Sequence, residues 1–150
     1  MTAVIEDALI RHLDRLFEIE TECFKEEAFT KEQITQLLKE YNCVSLVARV
    51  GGIIAGFVIG IMYVDRKALR AHILTIDVSP AYRRRGIGQM LLQKVERIFR
   101  DKGVKASSLE VREDNVAAIN LYRKLGYVNV GRLKNYYGNA NGIYFKKALA

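Results

Sequence analysis

Arg83-Arg84-Arg85-Gly86-Ile87-Gly88 is the segment whose residue types and spacing point most directly to chemistry. An apolar run, Ile73–Val78, and a turn marked by Ser79-Pro80 lead into it, and an amphipathic helical pattern follows at once. The first turn of a helix leaves about four N–H groups without intrahelical acceptors and carries roughly half a positive charge. Gly86 and Gly88 have no Cβ, so an anion can approach those groups closely. Three arginines add charge beside the same opening. The predicted chemistry is the cradling of a pyrophosphate. Neither common phosphate loop is present. No Lys-Ser or Lys-Thr follows a glycine, and Leu91 stands where the third glycine of G-x-G-x-x-G belongs. A glycine-rich helix start on a basic surface is the plain alternative.

The elements that position this loop follow from periodicity. Thr2–Asp7 reads as a short strand. Apolar residues at helical spacing (Leu9, Leu13, Leu16, Phe17, Ile19, Cys23) predict a helix over Ala8–Cys23. Phe24–Phe29 interrupts it. Thr30, with Gln33 three residues on, forms a capping box for a second helix ending near Tyr41-Asn42. Cys43–Val50, Gly51-Gly52 and Ile53–Val64 give a hairpin signal, and Asp65-Arg66-Lys67 a further turn. His72–Val78 is the next strand, Gly86–Lys102 a helix, Ser107–Val111 a strand and Asn115–Leu125 a helix. Tyr127–Lys134 and Gly142–Lys147 close the chain as strands. The order is β-α-α-β-β-β-α-β-α-β-β. It predicts a mixed α/β fold, with a central mixed sheet of about seven strands and helices on both faces, built as one domain over residues 1–150.

Composition sets the class of molecule. Half of the 150 residues are hydrophobic and 27% are charged, as in ordinary globular proteins. The longest apolar stretch, Ile53–Val64, is shorter than a membrane span and broken by Gly56 and Gly60. The N-terminus lacks the layout of a signal peptide, and the two cysteines, Cys23 and Cys43, fit neither a disulfide framework nor a metal site. A cytoplasmic protein with reduced thiols and no metal is expected. The net charge is +7, yet the only run of three adjacent basic residues is Arg83–Arg85. That concentration favours a small polyanion over nucleic acid and gives no sign of a membrane partner.

Four segments carry a family resemblance. Arg83-x-x-Gly86-x-Gly88 matches [QR]-x-x-G-x-[GA], the coenzyme A pyrophosphate loop of the GCN5-related N-acetyltransferase (GNAT) superfamily. Leu109–Tyr127 resembles the L-E-V-R-x-x-N-x-x-A-x-x-L-Y-x-x-x-G-[FY] segment of its protein N-terminal branch: ribosomal-protein alanine acetyltransferases and Ard1-type enzymes. Asn135-Tyr136-Tyr137 with Asn141-Gly142 resembles that branch's tail, and Glu22-Cys23-Phe24 with Phe29-Thr30 its first-helix loop. The resemblance spans nearly the whole chain. It implies acetyl transfer from acetyl-CoA to protein N-termini, ribosomal proteins among them, by direct attack in a ternary complex. Acetylation of a small amine or a lysine side chain is the alternative within the fold. A non-catalytic coenzyme A- or nucleic-acid-binding module is the alternative outside it.

The resemblance also assigns residues. Glu110 matches the base and Tyr122 the general acid toward the departing thiolate. His72, whose imidazole titrates near pH 6.5, is a second base candidate. Each has a plain alternative: Glu110 paired with Arg112 or Lys105, His72 at a solvated strand start, Tyr122 packed on the sheet. The backbone around Ile76, Asp77 and Val78 is implied for the thioester arm and its carbonyl, and Arg83 to Gln89, with Ile87, for the pyrophosphate. Asn115 is first a helix cap and by resemblance a pantetheine contact. Phe24, Glu27 and Phe29 on one side, and Tyr136 and Tyr137 on the other, are implied to hold the acceptor, with His72 and Glu110 at its amine. On a regular strand only one of the two tyrosines could face inward. Glu26 and Glu27 read otherwise as a solvated loop, and Cys23 as a core residue rather than an acyl-carrying nucleophile.

Overall fold

The computed structural model describes residues 2–150. Among them run β1 (Ala3–Asp7), α1 (Leu13–Cys23), α2 (Lys31–Lys39), β2 (Cys43–Val50), β3 (Ile53–Asp65), β4 (Ala68–Val78), α3 (Ile87–Asp101), β5 (Ala106–Arg112), α4 (Val116–Lys124), β6 (Val128–Leu133) and β7 (Gly142–Ala148). The element order is the one periodicity predicts. The seven strands form one sheet in the order β1-β2-β3-β4-β5-β7-β6. Neighbours are antiparallel except β4 and β5.

That parallel pair is the feature that matters. It holds only at Ala71↔Ser107 and His72↔Ser108. Beyond those residues the two strands part, leaving backbone edges that no ladder satisfies.

Two core layers hold the sheet. Alternation along β2 and β3 sends Val47, Phe57 and Ile59 against Leu16, Ile19 and Ile34 of α1 and α2. It sends Leu46, Ala48 and Val58 to the other face, against Leu91, Leu92, Val95 and Phe99 of α3. Because both faces are covered, β3 reads in the sequence as a nearly continuous apolar run.

Two boundaries differ from expectation. The first helix opens with a separate 3-10 turn at Ile10–His12, where Leu9 N–H donates to His12 Nδ1 at 2.9 Å. β4 starts at Ala68, four residues early, because Arg66 and Lys67 both take positive φ (50° and 68°) and make a two-residue hairpin turn. Neither residue is the Gly or Asn that announces such a turn, so the extension was not legible. No helix among the described residues is long and apolar enough to cross a membrane.

Candidate active site

A cavity of about 570 Å³ fills the gap where β4 and β5 diverge. Register sets which groups face it. Between Ile59↔Thr75 and Gly60↔Ile73 the pairing slips, so Leu74 is an extra residue on β4. Beyond this bulge, Ser79 N–H donates to Ala55 O at 2.8 Å and Gly56 lies opposite Val78. Antiparallel alternation then turns the N–H groups of Ile76 and Val78 away from β3, toward the gap. Asp77 does the opposite, which corrects its assignment to the cofactor. Its backbone faces β3, and its side chain, 2% exposed, lies under α1. There Thr75 Oγ1 stands 2.6 Å from Asp77 Oδ1 and 2.7 Å from Glu20 Oε1. Burial, and then the adjacent Glu20 carboxyl, push the Asp77 carboxyl well above the ordinary range.

At the end of β4 the chain turns through Pro80–Tyr82 into α3. Met90 N–H donates to Gly86 O at 3.0 Å, so the N–H groups of Ile87, Gly88 and Gln89 lack helical acceptors. Gly86 takes φ +75°, with open space over its Cβ position. Gly88 has a different reason: a Cβ there would come within 3.2 Å of Leu121 on α4. The Ile87 side chain is buried in the core and offers only its backbone. Arg83 turns back, its Nε donating to Val78 O at 3.1 Å. Arg85 lies over the Tyr82 ring, and Arg84 is exposed beside the helix start. Of the three arginines, then, Arg83 serves the loop's own shape.

Glu110, on β5, lines the cavity. It pairs with neither Arg112 nor Lys105: His72 Nε2 meets its Oε1 at 2.9 Å, and His72 Nδ1 meets Ser108 Oγ at 2.6 Å. An ionised Glu110 only accepts, so Nε2 carries the hydrogen, while Nδ1 and Ser108 Oγ share the second bond and Ser108 Oγ also stands 3.4 Å from Ala71 O. His72 lies in mid-strand with Tyr144 stacked beside it, not at a solvated strand start. Its ring is not part of the cavity wall and reaches that space only through Glu110, which corrects its direct assignment to the acceptor amine.

Tyr122, on α4, comes from the opposite side of the sheet and is 6% exposed. Its ring packs edge-on against Tyr127 and Phe145. Burial, with Asp77 second, raises its phenol, so the group keeps its proton. Asn115 caps α4, its Oδ1 accepting from Ala118 N–H at 3.2 Å, and also lines the cavity.

Two loops form the remaining wall. Phe24, Glu27 and Phe29 come from the α1–α2 loop, Tyr136 and Tyr137 from the β6–β7 loop. The two tyrosines lie in a turn after β6, with Asn135 at φ +53°, so both rings face inward, 4.9 Å apart and nearly perpendicular. The strand argument for only one inward tyrosine fails for that reason. Arg112 is not a partner for Glu110. It instead ties three segments: its guanidinium pairs with Glu27, Asp114 and Asn139 Oδ1, and lies over the Tyr137 ring. Glu27 is therefore an ion-paired carboxylate sharing Arg112 with Asp114, not a freely solvated one. Glu20 belongs to the site as well. It is 1% exposed, lines the cavity floor, and accepts from Phe29 N–H at 3.0 Å. Its signal was its place on the apolar stripe of α1, four residues after Leu16. The Cys23 thiol is pushed up to about 11, by burial first and then by Asp77, so it is no nucleophile near neutral pH.

Comparisons with known proteins agree with this architecture. An N-alpha-acetyltransferase from Sulfurisphaera tokodaii is 33% identical over 120 residues, 74% of this chain and 72% of its own length. A putative [ribosomal protein bS18]-alanine N-acetyltransferase from Bacillus subtilis is 32% identical over 90% of this chain and 87% of its own. The crystal structure of Ard1 from Thermoplasma volcanium superposes with a TM-score of 0.90 at 27% identity, covering 100% of this chain and 99% of that one. The sequence pattern of the Acetyltransferase (GNAT) family matches residues 13–127, a span that contains the diverging strands, the α3 loop, Glu110 and Tyr122. The chain belongs to that family.

Proposed function

We propose that this protein transfers the acetyl group of acetyl-CoA to the α-amino group of protein N-termini, by direct attack in a ternary complex. The observation that carries this reading is one cavity, between β4 and β5, walled by Tyr122 and Asn115 from one face of the sheet and by Glu110 and two aromatic loops from the other. The names of the S. tokodaii and B. subtilis relatives support an N-terminal acceptor, with ribosomal proteins among the substrates.

The residues present fit the coenzyme. The free N–H groups of Ile87, Gly88 and Gln89, the open space over Gly86, and Arg84 and Arg85 suit a pyrophosphate. Ile76 and Val78 offer N–H groups to the pantetheine arm and the acetyl carbonyl, and Asn115 borders the same path. When bound, acetyl-CoA supplies an activated acyl group, so the protein's work is positioning and proton management.

Glu110 takes the proton of the acceptor ammonium, directly or through one water. An α-amino group ionises near pH 8, so a carboxylate held in place suffices. His72 is a positioning residue: it fixes Glu110 Oε1 and is fixed in turn by Ser108. Tyr122, protonated in the free site, is the general acid: it gives its proton to the departing thiolate and is restored by the proton that the attacking nitrogen sheds as the amide forms. Phe24, Phe29, Tyr136 and Tyr137 exclude water and form a slot that admits an extended N-terminus with a small or apolar first residue (Ser, Ala or Met). An internal lysine, whose chain must pass on both sides, fits it poorly.

The test compares kcat/KM for a peptide with a free α-amine against the same peptide blocked there and carrying an internal lysine, with spermidine alongside. Preference for the free N-terminus is expected. Preference for the lysine peptide or for spermidine would overturn the reading.

A further inference from the structure

A second cavity, of about 350 Å³, lies on the same face of the sheet as Glu110. Strand alternation defines that face. Ser108, Glu110 and Arg112 share it on β5. Tyr144 lies opposite Glu110 on β7, and Lys146 lies opposite Ser108. His72 and Arg70 share it on β4, and Tyr63 lies opposite Arg70 on β3. Helices α1 and α2 pack on β2, β3 and the later part of β4, which leaves this end of the face uncovered by any helix.

The two cavities are joined through one hydrogen-bonded chain. Glu110 walls the first, Ser108 walls the second, and His72 bridges them. The walls of the second cavity differ sharply from the first. Three cationic side chains, Arg66, Arg70 and Lys146, border it, with Asp65 the single carboxylate. That carboxylate pairs with Arg70 but makes no hydrogen bond to it. Arg70 Nε has no hydrogen-bond partner, and Asp65 Oδ2 stands 3.6 Å away. Across the opening, the α1–α2 loop contributes Glu26 and Glu27 to the wall of the first cavity.

We propose that the second cavity is the downstream part of the acceptor site and selects acidic side chains at residues three to five of the acceptor. The inference rests on the N-terminal acetylation reading. Distances support it. Ser108, with Lys146 opposite it, lies two residues, about 7 Å, along β5 from Glu110; Arg70, two residues before His72, is level with Ala106 and about 13 Å from Glu110. An extended peptide advances about 3.5 Å per residue, so a chain whose α-amine sits at Glu110 brings its third to fifth side chains over Lys146 and then Arg70. Charge complementarity supplies the choice of occupant. The positive α-amine points to the carboxylate end, and negative side chains follow onto the basic end.

The experiment uses heptapeptides identical except for Asp, Gly or Lys at residues three to five, with kcat/KM read from thiol release. The wild type should favour the Asp series over the Lys series by about tenfold, the scale of two exposed ion pairs. That ratio should shrink as ionic strength rises. Arg70→Glu combined with Lys146→Glu should invert the order while coenzyme affinity and melting temperature hold. Lys146→Glu alone, at an exposed position, should narrow the ratio should the double variant fold poorly. Indifference to these residues in an enzyme that does acetylate free α-amines would overturn the subsite alone, as would an order unchanged by Lys146→Glu. Failure to acetylate any free α-amine would remove the functional reading, and the subsite with it.

Discussion

The two sides of the β4–β5 opening are built by different means. The coenzyme side is nearly all main chain: the outward N–H groups of Ile76 and Val78, then the first turn of α3, all within fourteen consecutive residues. The acceptor side is nearly all side chain. It brings Phe24, Glu27 and Phe29 to Arg112, and Tyr136 and Tyr137 to the same point, from three segments distant in sequence. A main-chain site depends on conformation and tolerates most side-chain changes. A side-chain site depends on a few tie points and can change its substrate without changing its fold.

The largest expected effect attacks the coenzyme side. Gly86→Asp places a carboxylate at the helix start and should weaken coenzyme binding at least ~100-fold, since it opposes both the dipole and the phosphate charge. Calorimetry on a variant that melts like wild type measures it, and unchanged affinity would reject the cradle. Next is Glu110→Gln. It should lower kcat by roughly 100-fold with coenzyme affinity intact, at the low end of what a positioned base contributes. His72→Phe should cost less, because His72 acts through Glu110. Equal losses in the two variants would restore His72 as a base in its own right.

A smaller effect is expected at the tie point. Arg112→Met should raise the acceptor KM by about tenfold, the scale of two lost exposed ion pairs, and leave the coenzyme Kd unchanged. A change confined to coenzyme binding would show that the two sides are not separable. The smallest effect concerns stability alone. Asp77 holds its proton to higher pH folded than unfolded. As pH rises past about 4 the unfolded chain releases that proton first, so Asp77 lowers stability increasingly until the folded group itself ionises. Asp77→Asn should therefore gain on the wild type in urea unfolding as pH rises from 4 to 7. A difference that stays flat with pH would refute this.

The coenzyme side was legible because its signal is local. Helix starts, glycines and adjacent arginines lie next to one another, and so do their consequences. Even so, two roles changed. Gly88 makes room for Leu121 rather than only for an anion, and Arg83 braces Val78 O. Asp77 was misplaced because a one-residue bulge at Leu74 decides which face each later β4 residue takes, and nothing in the apolar pattern marks that slip. On the acceptor side the residues named from the sequence, His72 excepted, line the cavity, but their partners were not legible. Glu110 met His72 instead of a neighbour on its own strand, and the turn after β6 let two adjacent tyrosines face one cavity.

By itself, then, the sequence determined the order of elements, the two-sided burial of β3 and the anion-ready start of α3. Each follows from side-chain period or from the few residues that end a helix. Only the tertiary structure decided the gap between β4 and β5, the Glu110–His72–Ser108 chain and the hub at Arg112. These depend on strand order and register, where a shift of one residue exchanges the two faces of the sheet, and no local pattern specifies which distant strand lies alongside.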